Sequence, residues 1–198
     1  MSRPLPQSFY ERDALVVAEE LLGQHIHHAG VVLRITEVEA YRHPGDTASH
    51  CRMGRTKRNA PMWGPGGHAY VYLCYGMHNM LNLVTGAEGE GAAVLIRACE
   101  PVRGHEIILE RRKSESVKPV LLTGPGKVAA ALGLDTTHTG LTLFRARGPL
   151  SVREGDMSSA IVRGPRVGIG YATPEHQAAP WRLAIGGSVW VSARRDLR

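Results

Sequence analysis

Two carboxylates and a phenol stand close together at Glu37, Glu39 and Tyr41, closing the segment Val31-Val-Leu-Arg-Ile-Thr-Glu-Val-Glu-Ala-Tyr41. One chemistry open to such a set is general base catalysis, in which an ionised carboxylate takes a proton from attacking water. The other is hydrolysis by a carboxylate pair: two positions apart on a strand, the glutamates lie about 7 Å apart, inside the inverting range. Strand side chains alternate with period two, which places Leu33, Ile35, Glu37, Glu39 and Tyr41 on one face. That face runs from apolar to acidic. A buried unpaired charge is costly, so on this strand alone emergence into solvent at Glu37 is the simpler account.

Other segments bear on the choice. Tyr70-Val-Tyr-Leu-Cys-Tyr75 packs three tyrosines into six residues of a chain that is 6% aromatic. Tyr70 and Tyr72 share a strand face, and Tyr75 lies on the other face or in the turn before Gly76. Tyrosine suits strands in general, but this cluster also suits stacking on a planar ligand. Asn82 sits in the apolar run Asn79–Val84, where a buried amide must find partners. Arg97 ends the apolar run Ala92–Arg97. The polar loop Arg42–Pro65 holds His43, Asp46 and His50 and then Arg52, Arg55, Lys57 and Arg58, a basic run placed to meet phosphates. Thr123-Gly-Pro-Gly-Lys127 lacks the spacing and the Ser/Thr of a Walker loop. A helix start with Gly and Lys127 can still bind one backbone phosphate. His25, His27 and His28 show no metal-ligand spacing, so no metal site and no cofactor is expected. His43 and His68 receive no role.

The elements that must position these groups follow from pattern and composition. The 198 residues suffice for one substantial core, and with no linker or repeat, residues 1–198 are expected to form a single domain. Asp13–Leu22 carries a helical stripe with Asp13 as cap and Gly23 as stop. A second helix follows a turn within Pro101–Lys113, and an Ala-rich third ends near Gly133. Short strands are expected at Leu141–Phe144, Val162–Gly170, Arg182–Ile185 and Val189–Val191. The expected fold is mixed α/β of the α+β kind: a curved antiparallel sheet with helices packed around it. No apolar run approaches the ~20 residues of a membrane span, and the N-terminus lacks the apolar core of a secretory signal. An intracellular protein with no membrane partner is therefore expected. Cys51, Cys74 and Cys99 read as reduced thiols. A net charge of +6 favours an anionic partner, nucleic acid first.

Taken together and in order, Glu37-Val-Glu-Ala-Tyr41, Asp46-Thr-Ala-Ser-His50, Tyr70-Val-Tyr-Leu-Cys-Tyr-Gly-Met77, Asn82 and Val94-Leu-Ile-Arg97 resemble the alkyladenine (3-methyladenine) DNA glycosylase family, from about Phe9 to Gly187-Ser-Val-Trp-Val-Ser192. The resemblance implies a base-excision enzyme, a monomer acting on double-stranded DNA that holds damaged purines; with no lysine in these motifs to form a Schiff base, a monofunctional one is expected. It also implies a fold related to the C-terminal domain of methionyl-tRNA formyltransferase. By similarity, Glu39 activates water and Arg97 lies close to it. Tyr41, His50 and Tyr72 line the pocket for the extruded base, Asn82 screens purines, and Tyr75 is the wedge left in the stack. Glu37 is then structural or an arginine's partner. Arg52, Arg55, Lys57, Arg58 and Lys127 are the phosphate-binding candidates. Localisation would be cytoplasmic, at the nucleoid, in a prokaryote and nuclear in a eukaryote. The family often has threonine where Val38 stands, and alternation turns that position away from Glu39. A binding module without catalysis is the alternative, and Glu39 is the feature that argues against it.

Overall fold

A computed structural model of the chain describes residues 2–156 and 160–198. Eight antiparallel strands form one curved sheet: β1 (His25–His28), β2 (Val31–Tyr41), β3 (Ala69–Cys74), β4 (His78–Thr85), β5 (Ala92–Arg103), β6 (Leu150–Arg153), β7 (Ile161–Gly164) and β8 (Arg182–Ile185). The order is β3-β4-β5-β2-β1-β6, with β8 also paired to β2 and β7 to β8. Among the described residues, five α-helices accompany it: α1 (Gln7–Tyr10), α2 (Ala14–Leu21), α3 (His105–Arg112), α4 (Pro125–Leu132) and α5 (Pro174–Ala178). This is the expected α+β architecture. Among the described residues, no helix is long and apolar enough to cross a membrane.

Helix α2 begins where Asp13 accepts a hydrogen bond from the Leu15 N–H and stops before Gly23, at φ 91°. Its buried residues Val17, Ala18 and Leu21 join one core with Leu33 and Ile35 of β2, Leu81 and Leu83 of β4, and Val128 and Leu132 of α4. Helices α1 to α4 thus cover one face of the sheet, and loops with the short α5 lie on the other.

The face assignment of β2 departs from simple alternation. Val31, Leu33 and Ile35 face the core, and so do Val38 and Ala40. Register explains the switch. Ile35 opposes Cys99 and Glu37 opposes Ala98, leaving Thr36 as an extra residue on β2; Val38 then opposes Ile96, leaving Arg97 extra on β5. Each β-bulge shifts the parity of its own strand. Leu33 and Ile35 therefore do not share a face with Glu37, Glu39 and Tyr41, as period-two counting requires. The bulges keep both stretches of β2 apolar toward the helices and turn the acidic residues to the opposite side. At the same place β2 changes neighbour, from β1 through Arg34 to β8 from Glu37 onward.

Other expectations shift as well. Leu141–Phe144 and Val189–Val191 are not strands; the first makes one isolated bridge, His68 to Thr142. Of Val162–Gly170 only the part through Gly164 is strand, because Pro165 has no N–H to donate to a ladder. Pro101 ends no strand: β5 runs through it to Arg103, at a stretch paired only to β2.

Candidate active site

Register aligns one row of side chains across five strands on the face away from the helices. Tyr70 opposes Asn82, Asn82 opposes Leu95, Leu95 opposes Glu39, and Glu39 opposes Arg182. Directly opposed residues point to the same side of a sheet, so groups scattered over 143 positions of sequence, from Glu39 to Arg182, become neighbours. Above this row lies a cavity of about 480 Å³ lined by Tyr41, His50, Arg58, Tyr72, Tyr75, Asn82, Arg97, Val167 and Tyr171, among others. That size is ordinary for a small-ligand pocket.

Glu39 is fully buried. One carboxylate oxygen accepts from the Val167 backbone N–H at 2.7 Å and meets Arg97 at 3.2 Å; the other accepts from the Tyr41 hydroxyl at 2.9 Å. Glu39 is not itself on the cavity wall, but all three of its partners are. Burial, and then the Glu39 charge, push the Tyr41 hydroxyl well above the ordinary tyrosine range, so it stays protonated and donates.

Glu37 is the anchor of a different cluster. It is fully buried and accepts from Arg97 Nε at 3.1 Å, Arg182 at 3.2 Å, the Ser192 N–H at 2.6 Å and the Ser192 hydroxyl at 2.9 Å. Arg97, Arg182 and the Ser192 hydroxyl converge on one oxygen and the Ser192 N–H on the other, which suits a structural carboxylate paired with arginine. Arg97 bridges the two glutamates. Burial opposes its charge, and the nearby Glu39 and Glu37 carboxylates outweigh that, so its pKa lies above the usual arginine value.

The aromatic groups meet as a stacked wall. The His50 ring lies edge-on to Tyr72 at 4.6 Å, and Tyr72 lies 5.6 Å from Tyr70. Burial lowers His50 to about 4, helped by Arg58 and Arg52, so the ring is neutral near pH 7. Asn82 gives its amide N–H groups to the carbonyls of Tyr70 and Met80, at 3.2 and 3.4 Å, which fixes its orientation at the cavity wall. Tyr75 stands in the turn between β3 and β4, 86% exposed, with Met77 beside it at 71%. Its φ of 50° is left-handed, a conformation that L-residues other than Gly, Asn and Asp rarely adopt.

The far part of the long loop after β2 is tied together by the buried Asn59. Asn59 donates to the carbonyls of His50 and Gly54, both at 2.9 Å, and accepts from Thr56 N–H and the Trp63 indole. Arg52, Arg55, Lys57 and Arg58 project from that loop, all exposed. Arg58 lies over Tyr72 and Arg52 over Tyr171, both at the cavity; Arg55 and Lys57 do not line it. Lys127 is half-buried in the first turn of α4. That turn is tied to the site, since the Gly124 N–H donates to the Arg97 carbonyl and Pro125 lines the cavity.

Sequence reasoning missed three participants. Arg182 is fully buried against Glu37 and the Pro165 carbonyl. Arg166 is paired in bidentate fashion with Asp46 at 2.6 and 2.8 Å. The Val167 N–H reaches Glu39. The signal available was an arginine opening the apolar strand Arg182–Ile185, and another between Pro165 and Val167 in a short Gly-bounded stretch. Neither discloses its partner. Among the described residues, no group of three or more His, Cys, Asp or Glu is placed to hold a metal ion.

Residues 8–189 match the family described as methylpurine-DNA glycosylase. The chain is 59% identical over 198 residues to a Nitrosococcus oceani protein provisionally named a 3-methyladenine DNA glycosylase, covering 100% of this chain and 98% of that one. It is 54% identical over 192 residues to the DNA-3-methyladenine glycosylase of Arabidopsis thaliana, covering 97% of this chain and 75% of that one. A Methanocella arvoryzae protein with the same provisional name as the first is 44% identical over 194 residues, with 96% of each chain covered.

Proposed function

The chain belongs to the methylpurine-DNA glycosylase family, and on that premise we propose that it excises alkylated purines such as 3-methyladenine and 7-methylguanine, and the deaminated purine hypoxanthine, from duplex DNA by flipping the base into the cavity over β2. Residues 1–198 act as one catalytic unit, a monomer on its DNA. The observation that carries the mechanism is the setting of Glu39, a buried carboxylate whose three partners all line the cavity.

A base inside a duplex is out of reach of any such cavity, so it must leave the stack, at a cost of a few kcal/mol. Tyr75, exposed on a hairpin tip beside Met77, is shaped to fill the gap it leaves. The extruded purine stacks among Tyr41, His50 and Tyr72, with Asn82 crowding the exocyclic amino group of normal guanine. As the bond from C1′ to the base nitrogen breaks, its electron pair stays with the base and positive charge develops on the sugar, as in glycoside hydrolysis. Glu39 stabilises that charge. A carboxylate offers about four acceptor positions; the two hydrogen bonds and the Arg97 ion pair leave room for one hydrogen of a water. That water adds to C1′ and its proton passes to Glu39. Arg97 holds the carboxylate in place from the cavity side. A cationic alkylpurine leaves as a neutral base and needs no acid, whereas hypoxanthine leaves as an anion and takes up the proton that the attacking water gives up. Among the described residues lining the cavity none is a lysine, which favours water over a Schiff base as the nucleophile. Arg52, Arg55, Lys57, Arg58 and Lys127 contact phosphates, the first four from the loop and the last from the start of α4.

The test is single-turnover base release from duplex oligonucleotides carrying 7-methylguanine or hypoxanthine, cut afterwards with alkali. Glu39→Gln should bind the same duplex and lose about 10²–10⁴-fold in rate. Salt-sensitive binding by the wild type without release of either base would move the chain to a binding module.

A further inference from the structure

Arg166 does not reach the cavity, yet it touches the wall that does. Its guanidinium carbon lies 4.7 Å from the Tyr41 ring centroid and 4.8 Å from that of Trp181. Tyr41 lines the cavity, whereas Arg166 and Trp181 do not. The cation therefore covers the side of the Tyr41 ring turned away from the ligand. Its place is fixed from three directions. Asp46 takes both ends of the fork at 2.6 and 2.8 Å, the Ala40 carbonyl accepts at 2.9 Å, and Trp181 closes the far face. Arg166 is buried, with 4% exposure, and so is Asp46. The next residue supplies the N–H that holds Glu39.

A ring gripped on one face by a cation has less negative potential to offer on the other. The same charge also acts through the ring on whatever stacks beyond it, in surroundings that screen poorly. Asp46 offsets part of that charge from the edge of the guanidinium plane. We propose that Arg166 is a specificity-determining residue, setting through Tyr41 the balance between positively charged and neutral damaged purines. The charge behind the wall disfavours a cationic alkylpurine and spares a neutral one. Asp46 tempers this bias. The inference rests on the excision activity proposed above.

The experiment compares kcat/KM for 7-methylguanine and hypoxanthine in the same duplex sequence, for wild type, Arg166→Met, Asp46→Asn and Arg166→Lys. Methionine keeps a long stem between Tyr41 and Trp181 without the charge. Cation–π strengths imply that Arg166→Met raises the 7-methylguanine to hypoxanthine ratio by about three- to tenfold. Asp46→Asn leaves the cation unneutralised and should lower the ratio by a similar factor. Arg166→Lys should slow both reactions and hold the ratio. A purely structural role would slow both substrates in proportion in every variant. Ratios constant within about twofold, or moving the same way in Arg166→Met and Asp46→Asn, would overturn the proposal. If Arg166→Met does not fold, the direction of the Asp46→Asn shift decides. A wild type that releases neither base defeats the glycosylase reading itself, whereas a wild type active on both with unmoved ratios defeats only the role of Arg166.

Discussion

Glu37 offers the sharpest test of how the site is held. Its carboxylate receives Arg97, Arg182 and two hydrogens from Ser192, and it has no exposed surface. In Glu37→Gln the remaining oxygen can serve either the two arginines or the Ser192 N–H. Serving the arginines turns the new NH₂ onto the Ser192 N–H, donor against donor. Serving Ser192 aims it at two guanidinium groups. In both cases the two buried cations share one counter-charge fewer: Arg97 keeps Glu39 at 3.2 Å, and Arg182 keeps only a distant acid, Asp196 at 3.8 Å. Removing one partner of a buried pair typically destabilises by about 3–5 kcal/mol. For a chain of this size each kcal/mol moves Tm by about 2–4 °C, giving a fall of about 6–20 °C. The control is Glu100→Gln. Glu100 makes a single bond to Arg34 at 3.2 Å with 38% of its side chain exposed, and pairs of that kind are worth about 1 kcal/mol or less. Both variants would be melted by circular dichroism at the same pH and salt. If Glu37→Gln falls no further than Glu100→Gln, the cluster around Glu37 does not stabilise the site as argued.

Further outcomes follow from other residues. Tyr75→Gly should leave Tm unchanged or slightly raised, because glycine accepts the φ of 50° without strain; base release from duplex should fall sharply, and unchanged release would remove Tyr75 as the wedge. His50 sits at about 4 when folded against an ordinary 6.5, lowered by burial first. The unfolded chain therefore binds its proton first as pH falls, and this part of the stability is present above about 6.5 and lost toward about 4. His27, also lowered to about 4 by burial first, acts in the same direction. The urea midpoint should drop from neutral pH to pH about 4.5, and His50→Asn should flatten that drop. Lys127→Ala and Arg58→Ala should each reduce the slope of log affinity against log salt by about 0.9, measured on undamaged duplex; an unaltered slope would take that residue off the phosphate path.

Much of the candidate site was legible in residue types and their order. Alternation alone marks Tyr70 and Tyr72 as one face, Glu37, Glu39 and Tyr41 as another, and Tyr75 beside Gly76 as a turn. Asp13 and Gly23 bracket α2 for local reasons, and such signals survive because a cap acts within one turn. What alternation could not supply is the pair of bulges at Thr36 and Arg97. They keep β2 apolar toward the helices on both sides of the switch, yet a bulge is visible only once two strands are in register. The more distant partners of Glu37 and Glu39 were equally hidden. Arg182, Ser192 and Val167 lie more than 120 positions away in sequence and arrive only because β8 joins β2 where β1 leaves it. A buried carboxylate needs donors wherever they come from, so the sequence shows that such donors must exist. Which residues provide them is decided by the packing of the whole sheet.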